Sequence, residues 1–351
     1  MQRILITGGA GYIGSHTCNI LLEKGYKIDV IDSYINSSPE SLNRVREKAI
    51  INNRRSVENF NVFKGDLRDA SLLNKIFLDA EIEGLPIKGV IHFAGLKSVS
   101  ESIDNPLMYW DCNVNSTLTL LKVMDKYNCR TIVFSSSATI YGFSNDDILD
   151  EKAPINPSNP YGRTKVAIEQ LLSNTFESNK EEWKIANLRY FNPIGAHPLG
   201  FIGEDPLGVP NNIFPTITQV AKGRIKNLQI YGNDWPTADG TGVRDYIHVM
   251  DLAEGHLLTL EYLFREKSQK IYLNLGTGKG VSVLELINTF QDVNNVKVPY
   301  VFSSRRKGDS AKVVADNQLA SCVLQWRPKR SIKDMCRDGW NWQNKNPNGY
   351  K

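Results

Sequence analysis

What the chain lacks narrows its class before any motif is read. No apolar run comes near the ~20 residues that a membrane-crossing helix needs. There is no internal repeat and no low-complexity segment, which excludes solenoids and fibrous arrays. The five cysteines, Cys18, Cys112, Cys129, Cys322 and Cys336, form no Cys-x-x-Cys pair, and their number is odd. Reduced thiols fit this better than a disulfide framework or a zinc site, and no metal is expected. Neither sign of charge is in large excess: 42 Lys and Arg against 38 Asp and Glu leave a net charge of +4, too small for a nucleic-acid binder. The basic run Arg44, Arg46, Lys48, Arg54, Arg55 is interrupted by Glu47 and two asparagines, so it reads as a solvated helix face. Met1 to Thr7 enters a strand pattern directly, without a signal-peptide layout. The expectation is a cytoplasmic globular protein with no membrane partner. Its 351 residues are enough for two packed domains.

What is present starts with Ile4-Leu5-Ile6, a short apolar run of the kind buried on both faces of a sheet. Gly8-Gly9-Ala10-Gly11-Tyr12-Ile13-Gly14 follows at once. A helical pattern then runs to Leu22 and stops at Gly25. A second apolar strand, Ile28 to Ile31, ends in Asp32. In this order of elements the glycines allow a tight turn and close backbone approach to a pyrophosphate, whose charge lies at the helix N-terminus. Asp32 is placed to accept from ribose hydroxyls and to repel a 2′-phosphate. The pattern predicts a dinucleotide site with NAD preferred to NADP.

Further short strands are expected near Val62-Phe63, Val90-Ile91, Ile132 to Phe134 and Ile185 to Leu188. Helices fall between them, notably over Ser71 to Glu83 and Asn113 to Tyr127. This alternation predicts an α/β fold with a doubly wound parallel sheet, of Rossmann type. Ligands of such sheets lie beyond the carboxyl ends of the strands. Three stretches fall there: Asp66-Leu67, His92 to Lys97, and Ser135 to Gly142. Alone, the first reads as a turn acid and the last as a loop.

Asn159-Pro160-Tyr161-Gly162-Arg163-Thr164-Lys165 comes next. Ser158 or Asn159 can cap a helix, and Pro160 suits its first position. Tyr161 and Lys165 then share one helix face. A free phenol titrates near pH 10, too high for a base at neutrality, and an adjacent ammonium favours its phenolate. Such a pair suits proton transfer coupled to hydride transfer. Tyr-x-x-x-Lys alone is common by chance; the serine cluster and the glycine loop give it meaning.

After Arg189, Gly and Pro become frequent and the alternation loosens. Two domains are expected, residues 1–189 binding NAD and 190–351 forming a smaller mixed α/β substrate domain, with an approximate boundary that segments can cross. The second part carries Asn211-Asn212, Gly240 to Val249 and Ser304 to Asp309. Guanidinium forks from two distant places could clamp a diphosphate, although either arginine alone reads as surface charge. His248 lacks a ligand partner at metal spacing and reads as structural. Asp251 with Glu254 resembles a capping pair. Trp326, Trp340 and Trp342 read as packing residues.

With these residues in view, the chain resembles the UDP-glucose 4-epimerase family, an extended branch of the short-chain dehydrogenase/reductases. The likeness runs from Thr7-Gly8-Gly9 to Trp340-Asn341-Trp342. It is carried by His92 to Lys97, Phe134 to Gly142, Leu188-Arg189-Tyr190-Phe191-Asn192-Pro193 and Asp239 to Asp251. The resemblance implies that Tyr161 is the base for the sugar 4-hydroxyl, that Lys165 tunes it and holds the nicotinamide ribose, and that Ser137 relays the proton. It implies that Gly8, Gly11, Tyr12, Ile13 and Gly14 form the pyrophosphate loop. Asp32 would take the adenosine ribose, and Asp66 with Leu67 would meet the adenine end. Phe93, Ala94 and Lys97 would line the cofactor, and Phe191 would flank the nicotinamide. Asn192, Asn212, Arg244 and Arg306 would hold the UDP phosphates and the adjoining sugar. Leu228 to Tyr231 would meet uracil, and Asp309 the uridine ribose.

The implied reaction interconverts UDP-glucose and UDP-galactose through a 4-keto intermediate, with NAD tightly bound throughout. A homodimer is implied too, built on Leu107 to Asp125 and Tyr161 to Asn179. Three positions depart from the family pattern. Cys112 replaces a common asparagine near the cofactor, and Ser41 to Asn59 is longer and more basic than usual. Val313 stands where members restricted to unsubstituted hexoses have tyrosine, which leaves room for a 2-acetamido group and for UDP-GlcNAc and UDP-GalNAc. A 4,6-dehydratase of the same superfamily is disfavoured, because its acidic pair is replaced here by Ala138 and Thr139. A non-catalytic NAD-binding regulator is disfavoured by the presence of Ser137, Tyr161 and Lys165 together.

Overall fold

The computed structural model describes residues 1–51, 58–142, 148–208, 210, 212–306 and 309–351. Arg54 and Arg55 of the basic run, Asn211, and Lys307 and Gly308 lie outside the described residues. The chain divides into two compact units. One comprises Met1–Ile140, Pro157–Arg189 and Ala253–Leu273; the other comprises Tyr141–Asn156, Tyr190–Leu252 and Asn274–Lys351.

The first unit is built on a seven-stranded sheet. Its first five strands in chain order are β1 (Arg3–Thr7), β2 (Lys27–Asp32), β3 (Phe60–Lys64), β4 (Ile87–His92) and β5 (Thr131–Ser135). The spatial order is β3-β2-β1-β4-β5, followed by the strands Lys184–Tyr190 and Gln269–Leu275. From β3 to Lys184–Tyr190 every neighbouring pair is parallel. Parallel strands need helical crossovers, and these cover the sheet faces. β1 and β5 are accordingly buried along their whole length. The helix Ala70–Ile82 begins where predicted, with Asp69 accepting from the backbone N–H groups of Ser71 and Leu72. The stretch expected as one helix from Asn113 begins differently. A π-helical turn, Trp110–Asn115, precedes the α-helix Ser116–Lys126.

The second unit has a mixed five-stranded sheet. Gly280–Ser282, Val243–His248, Lys312–Ala315 and Ile148–Leu149 lie in that order, and Asn192–Ile194 also pairs with Val243–His248. A separate parallel pair joins Leu228–Tyr231 to Tyr300–Ser303. His248 is fully buried, hydrogen-bonded to the Asp338 carboxylate at 3.3 Å and accepting from the Met250 N–H at 3.1 Å. The structural reading of this histidine therefore holds. Trp326 and Trp342 are buried, and Trp340 packs edge-on against Phe290.

Segments do cross the approximate boundary near residue 189, and two other readings need correction. Residues 141–156 join the second unit because Ile148–Leu149 pairs with Lys312–Ala315 and the Asn274 side chain bridges Tyr141 and Leu149. Residues 253–273 join the first because their strand extends its sheet and Leu260 and Phe264 lie close against Gly89 of β4. Asp251 is not a helix cap. The helix runs Val249–Arg265, and the buried Asp251 carboxylate accepts from the backbone N–H groups of Lys329 and Arg330 and from the Arg330 guanidinium. Arg46 is also not simply solvated: its guanidinium lies 5.3 Å from the Phe60 ring centroid and donates to the Phe60 carbonyl.

A buried ion pair ties three strands together. Arg3 of β1 grips Asp29 of β2 through Nε at 2.7 Å and Nη2 at 3.1 Å, while Asn61 of β3 donates to the same carboxylate at 2.8 Å. Both ionic partners are at most 1% exposed. Breaking such a pair strands a buried charge at a cost of about 3–5 kcal/mol, whereas replacing both partners by apolar groups can be near neutral. Arg3→Met should therefore lower the urea midpoint strongly, and Arg3→Met with Asp29→Leu should recover most of the loss.

Candidate active site

The first unit brings the predicted cofactor residues to the carboxyl ends of its strands. After β1 the chain turns at Gly8, whose φ is +69°. A Cβ there would sit 2.6 Å from the Ala94 backbone nitrogen, so only glycine lets the ends of β1 and β4 approach. A Cβ on Gly14 would strike the Gly8 carbonyl, which keeps the Tyr12–Glu23 helix tight against the loop. Gly11 is the N-cap residue of that helix, and no side chain caps it. A helix start of this kind, fronted by bare backbone, fits the pyrophosphate of a dinucleotide. Asp32 ends β2 with its carboxylate organised by the N–H of Ala10, the N–H of Tyr34 and the hydroxyl of Ser37, each at 2.9 Å. Three donors hold it as a fixed acceptor beside the loop.

The adenine-end residues are more constrained than the sequence implied. Arg68 donates to the Asp66 carboxylate from Nε at 3.0 Å and Nη2 at 2.6 Å, and also binds Asp111. The Arg68 guanidinium holds the Asp66 carboxyl below its ordinary range. The Leu67 side chain is part of the core. Cys112 lies in the π-helical turn, and burial pushes its thiol up. Phe93 is half-buried against the His256 ring, with centroids 4.7 Å apart. Ala94 donates its N–H to Thr7 at 3.3 Å, and Lys97 is exposed.

The predicted catalytic helix runs Pro160–Ser178. Asn159 caps it by accepting the Gly162 N–H at 2.8 Å, and Pro160 takes the first turn. Tyr161 and Lys165 point to one face. Lys165 Nζ lies 5.8 Å from the Tyr161 ring centroid and 4.7 Å from that of Phe134. It donates to the Ser135 carbonyl at 2.8 Å and is only 4% exposed. Burial pushes its ammonium down to about 8, opposed by the nearby Glu169 carboxylate. Ser137, two residues beyond, is held by Thr139, whose N–H and hydroxyl both donate to its Oγ. Lys165 thus meets the end of β5 at Ser135, two residues before Ser137, with the Tyr161 ring on the same helix face. Ala138–Ile140 forms a short 3-10 turn carrying no carboxylate.

In the second unit Arg244, Arg306, Asp309, Tyr231 and Val313 of the set predicted for a nucleotide lie together. Arg244 and Val313 are register partners on adjacent strands. Arg244 Nη1 is anchored by the carbonyls of Val243 and Ser310, both at 2.9 Å. Burial lowers its guanidinium's pKa, while the Asp309 carboxylate works the other way. Arg306 contacts Asp309 at 3.2 Å and lies 4.4 Å over the Tyr231 ring. Leu228 is buried in the strand that ends at exposed Tyr231. Asn192 pairs in register with Tyr246, and buried Phe191 donates its N–H to the Leu275 carbonyl at 3.2 Å. Asn212 is the exposed N-cap residue of the Ile213–Ala221 helix, with its amide donating to Glu204.

Several residues of the site had no sequence signal of their own. Thr7 and Thr117 hold His92 between them, at 2.7 and 2.9 Å, and burial drives that imidazole down to about 3. Asn113 binds the backbone of Leu96 on both sides and the Thr164 hydroxyl. Glu169 and Arg189 form a buried pair beneath the serine cluster. Only Glu169 could have been found early, since it lies one further helical turn from Lys165 on the same face.

Known proteins match this arrangement. The family model described as GDP-mannose 4,6 dehydratase matches residues 5–339. UDP-glucose 4-epimerase 2 of Arabidopsis thaliana is 50% identical over 349 residues, covering 99% of this chain and 97% of its own. UDP-glucose 4-epimerase of Bacillus subtilis (strain 168) is 49% identical over 350 residues, covering 100% and 99%. The crystal structure of UDP-glucose 4-epimerase from Bifidobacterium longum, in complex with NAD+ and UDP, superposes with a TM-score of 0.91 at 44% identity, covering 99% of this chain and 100% of that one. With its glycine loop, its Tyr161–Lys165–Ser137 group and these full-length matches, the chain belongs to the UDP-glucose 4-epimerase family.

Proposed function

We propose that this protein interconverts UDP-glucose and UDP-galactose by epimerisation at C4, with NAD as a retained cofactor. The observation that carries the reading is the seating of Lys165 beside the Tyr161 ring and on the Ser135 carbonyl at the end of β5, two residues before Ser137, in the unit that also holds the Gly8–Gly14 backbone cradle. Tyr161 takes the proton from the sugar O4. Lys165 supplies the positive charge that favours the phenolate and holds the nicotinamide ribose, and Ser137 relays the proton. NAD, when bound, supplies the acceptor for the C4 hydride and returns it. The sugar passes through a 4-ketopyranose, and inversion requires that ketose to turn over before it is reduced. The nucleotide must therefore be held firmly and the hexose loosely, so that remote contacts position the reacting end.

Gly8, Gly11, Tyr12, Ile13 and Gly14 hold the pyrophosphate, Asp32 the adenosine ribose, and Asp66 with Leu67 the adenine end. Phe93, Ala94, Lys97 and Phe191 line the rest of the cofactor. Arg244, Arg306, Asn192 and Asn212 take the UDP phosphates and adjoining sugar, Leu228 to Tyr231 the uracil and Asp309 the ribose. Arg244 and Arg306 support this assignment because, among the described residues, each engages only part of its guanidinium's donors. Dehydration across C5 and C6 would need an added acid and base, and Ala138 and Thr139 offer neither.

Val313 is half-buried and aligned with Arg244, and its short side chain supports a pocket that also accepts a 2-acetamido group. A homodimer through Leu107 to Asp125 and Tyr161 to Asn179 is part of the same reading, supported by the exposure of Leu107, Met108, Trp110 and Leu118. The five cysteines are unpaired, which supports a cytoplasmic location. Among the described residues no helix is long and apolar enough to cross a membrane.

Purified protein given UDP-glucose and no added nucleotide should form UDP-galactose, and deuterium at C4 should stay on that carbon through many turnovers. Tyr161→Phe should lower kcat by about 10²–10⁴-fold, the usual contribution of a positioned acid–base group; full speed would remove Tyr161 from the chemistry. Turnover of UDP-GlcNAc should be measurable, and Val313→Tyr should lose it while keeping UDP-glucose. Good activity on UDP-glucose with none on UDP-GlcNAc would rule out the larger pocket.

A further inference from the structure

Beneath the catalytic helix lies a charged pair for which the reaction scheme has no use. Glu169 is on the Pro160–Ser178 helix, four residues after Lys165 and eight after Tyr161. It is 4% exposed and Arg189 is 3% exposed. Arg189 forks onto the carboxylate, Nε to Oε1 at 3.1 Å and Nη2 to Oε2 at 2.7 Å. The Ser136 hydroxyl donates to Oε1 at 2.6 Å. The guanidinium also lies 4.7 Å from the Tyr272 ring centroid. Burying such a pair is costly and gives weak net stability, so its retention calls for another role.

We propose that Glu169, fixed by Arg189 and Ser136, is a positioning residue that keeps the Lys165 ammonium charged and aimed beside Tyr161. The inference rests on the roles proposed above for Tyr161 and Lys165. The geometry supplies two routes. One is a carboxylate one helical turn from a buried cation. The other is mechanical: Ser136, held by Glu169, lies between Ser135, whose carbonyl accepts from Lys165, and Ser137. A carboxylate holding the middle of this short run therefore braces the residues on both sides of it.

The other groups around the ammonium do not perform this task. Tyr161 lies on the same helix and is the group being tuned. His92 of β4 carries a like charge when protonated, but burial holds it neutral at working pH. His256, from the Val249–Arg265 helix, reaches Ser135 Oγ at 3.3 Å. Arg189 stands behind Glu169 and brings a second positive charge. Glu169 is thus the one anion acting on Lys165 among these groups, and it opposes the burial that pushes the ammonium down to about 8. In the wild type the ammonium is present below that pH and is lost as pH rises through it.

The test is the pH profile of kcat for UDP-glucose in Glu169→Gln, which keeps the shape and loses the charge. The alkaline limb should move to lower pH by about one unit, a roughly tenfold loss above both limbs, with KM nearly unchanged. Glu169→Asp, which keeps a carboxylate, should move the limb back towards the wild type. Glutamine leaves Arg189 without an anion, so Glu169→Gln with Arg189→Gln is measured beside it and should shift in the same direction. A second readout needs no turnover: the tyrosinate difference absorbance that disappears in Tyr161→Phe should develop at higher pH in Glu169→Gln. Profiles and titrations that superimpose on the wild type after scaling would overturn the proposal and leave the pair a merely structural one. Absence of epimerase activity in the wild type would instead defeat the functional reading, while the absorbance titration would still decide the role of Glu169.

Discussion

One buried cation governs the arrangement of the active unit. Lys165 is almost fully enclosed, and an ammonium can be enclosed only where acceptors and aromatic faces replace water. The Ser135 carbonyl and the rings of Phe134 and Tyr161 do this. Those partners come from the end of β5 and from the lysine's own helix, so helix and strand must meet at one fixed place. The start of the helix is fixed to match. Asn159 caps it, and Gly162 leaves no space for a Cβ between Pro157 and the Thr139 carbonyl. The serine cluster and the first turn of the helix are brought together as a consequence.

The same economy appears wherever the protein prepares to meet charge. Groups aimed at a ligand are first tied to backbone. The glycine loop offers N–H groups at a helix start, Asp32 is oriented by three donors, and Arg244 is anchored on two carbonyls. Groups so held lose little freedom on binding, which keeps the cost of association low. The hydrophobic cores are separate, one under the parallel sheet and one around Phe214, Phe290 and Met335, so each unit supports its own share of these residues.

Much of this was legible early because it depends on local chemistry. The strands that form the parallel sheet are short apolar runs. The Asn159 cap, the Pro160 start and the i, i+4 pairing of Tyr161 with Lys165 need only helix geometry. Other features depend on long-range pairing and left no local trace. The two crossing segments, 141–156 and 253–273, follow from pairing with strands far away in the chain. Asp251 looked like a cap because its spacing to Glu254 is right, yet its carboxylate is claimed by a distant Arg330. Leu67, read with Asp66 as a ligand contact, has its side chain in the core.

The sequence by itself determined the sheet type, the glycine turn and its acid, and the shared helix face of Tyr161 and Lys165. Each of these is encoded within a few neighbouring positions, where backbone preference and side-chain spacing decide the outcome. Only the tertiary structure decided that Glu169 and Arg189 lie buried under Ser136, that His92 is held neutral between two threonines, and that Val313 stands beside Arg244. Those relations join residues far apart in the chain. Their physics is burial and electrostatics, which exist only once folding has excluded water and brought the groups within reach.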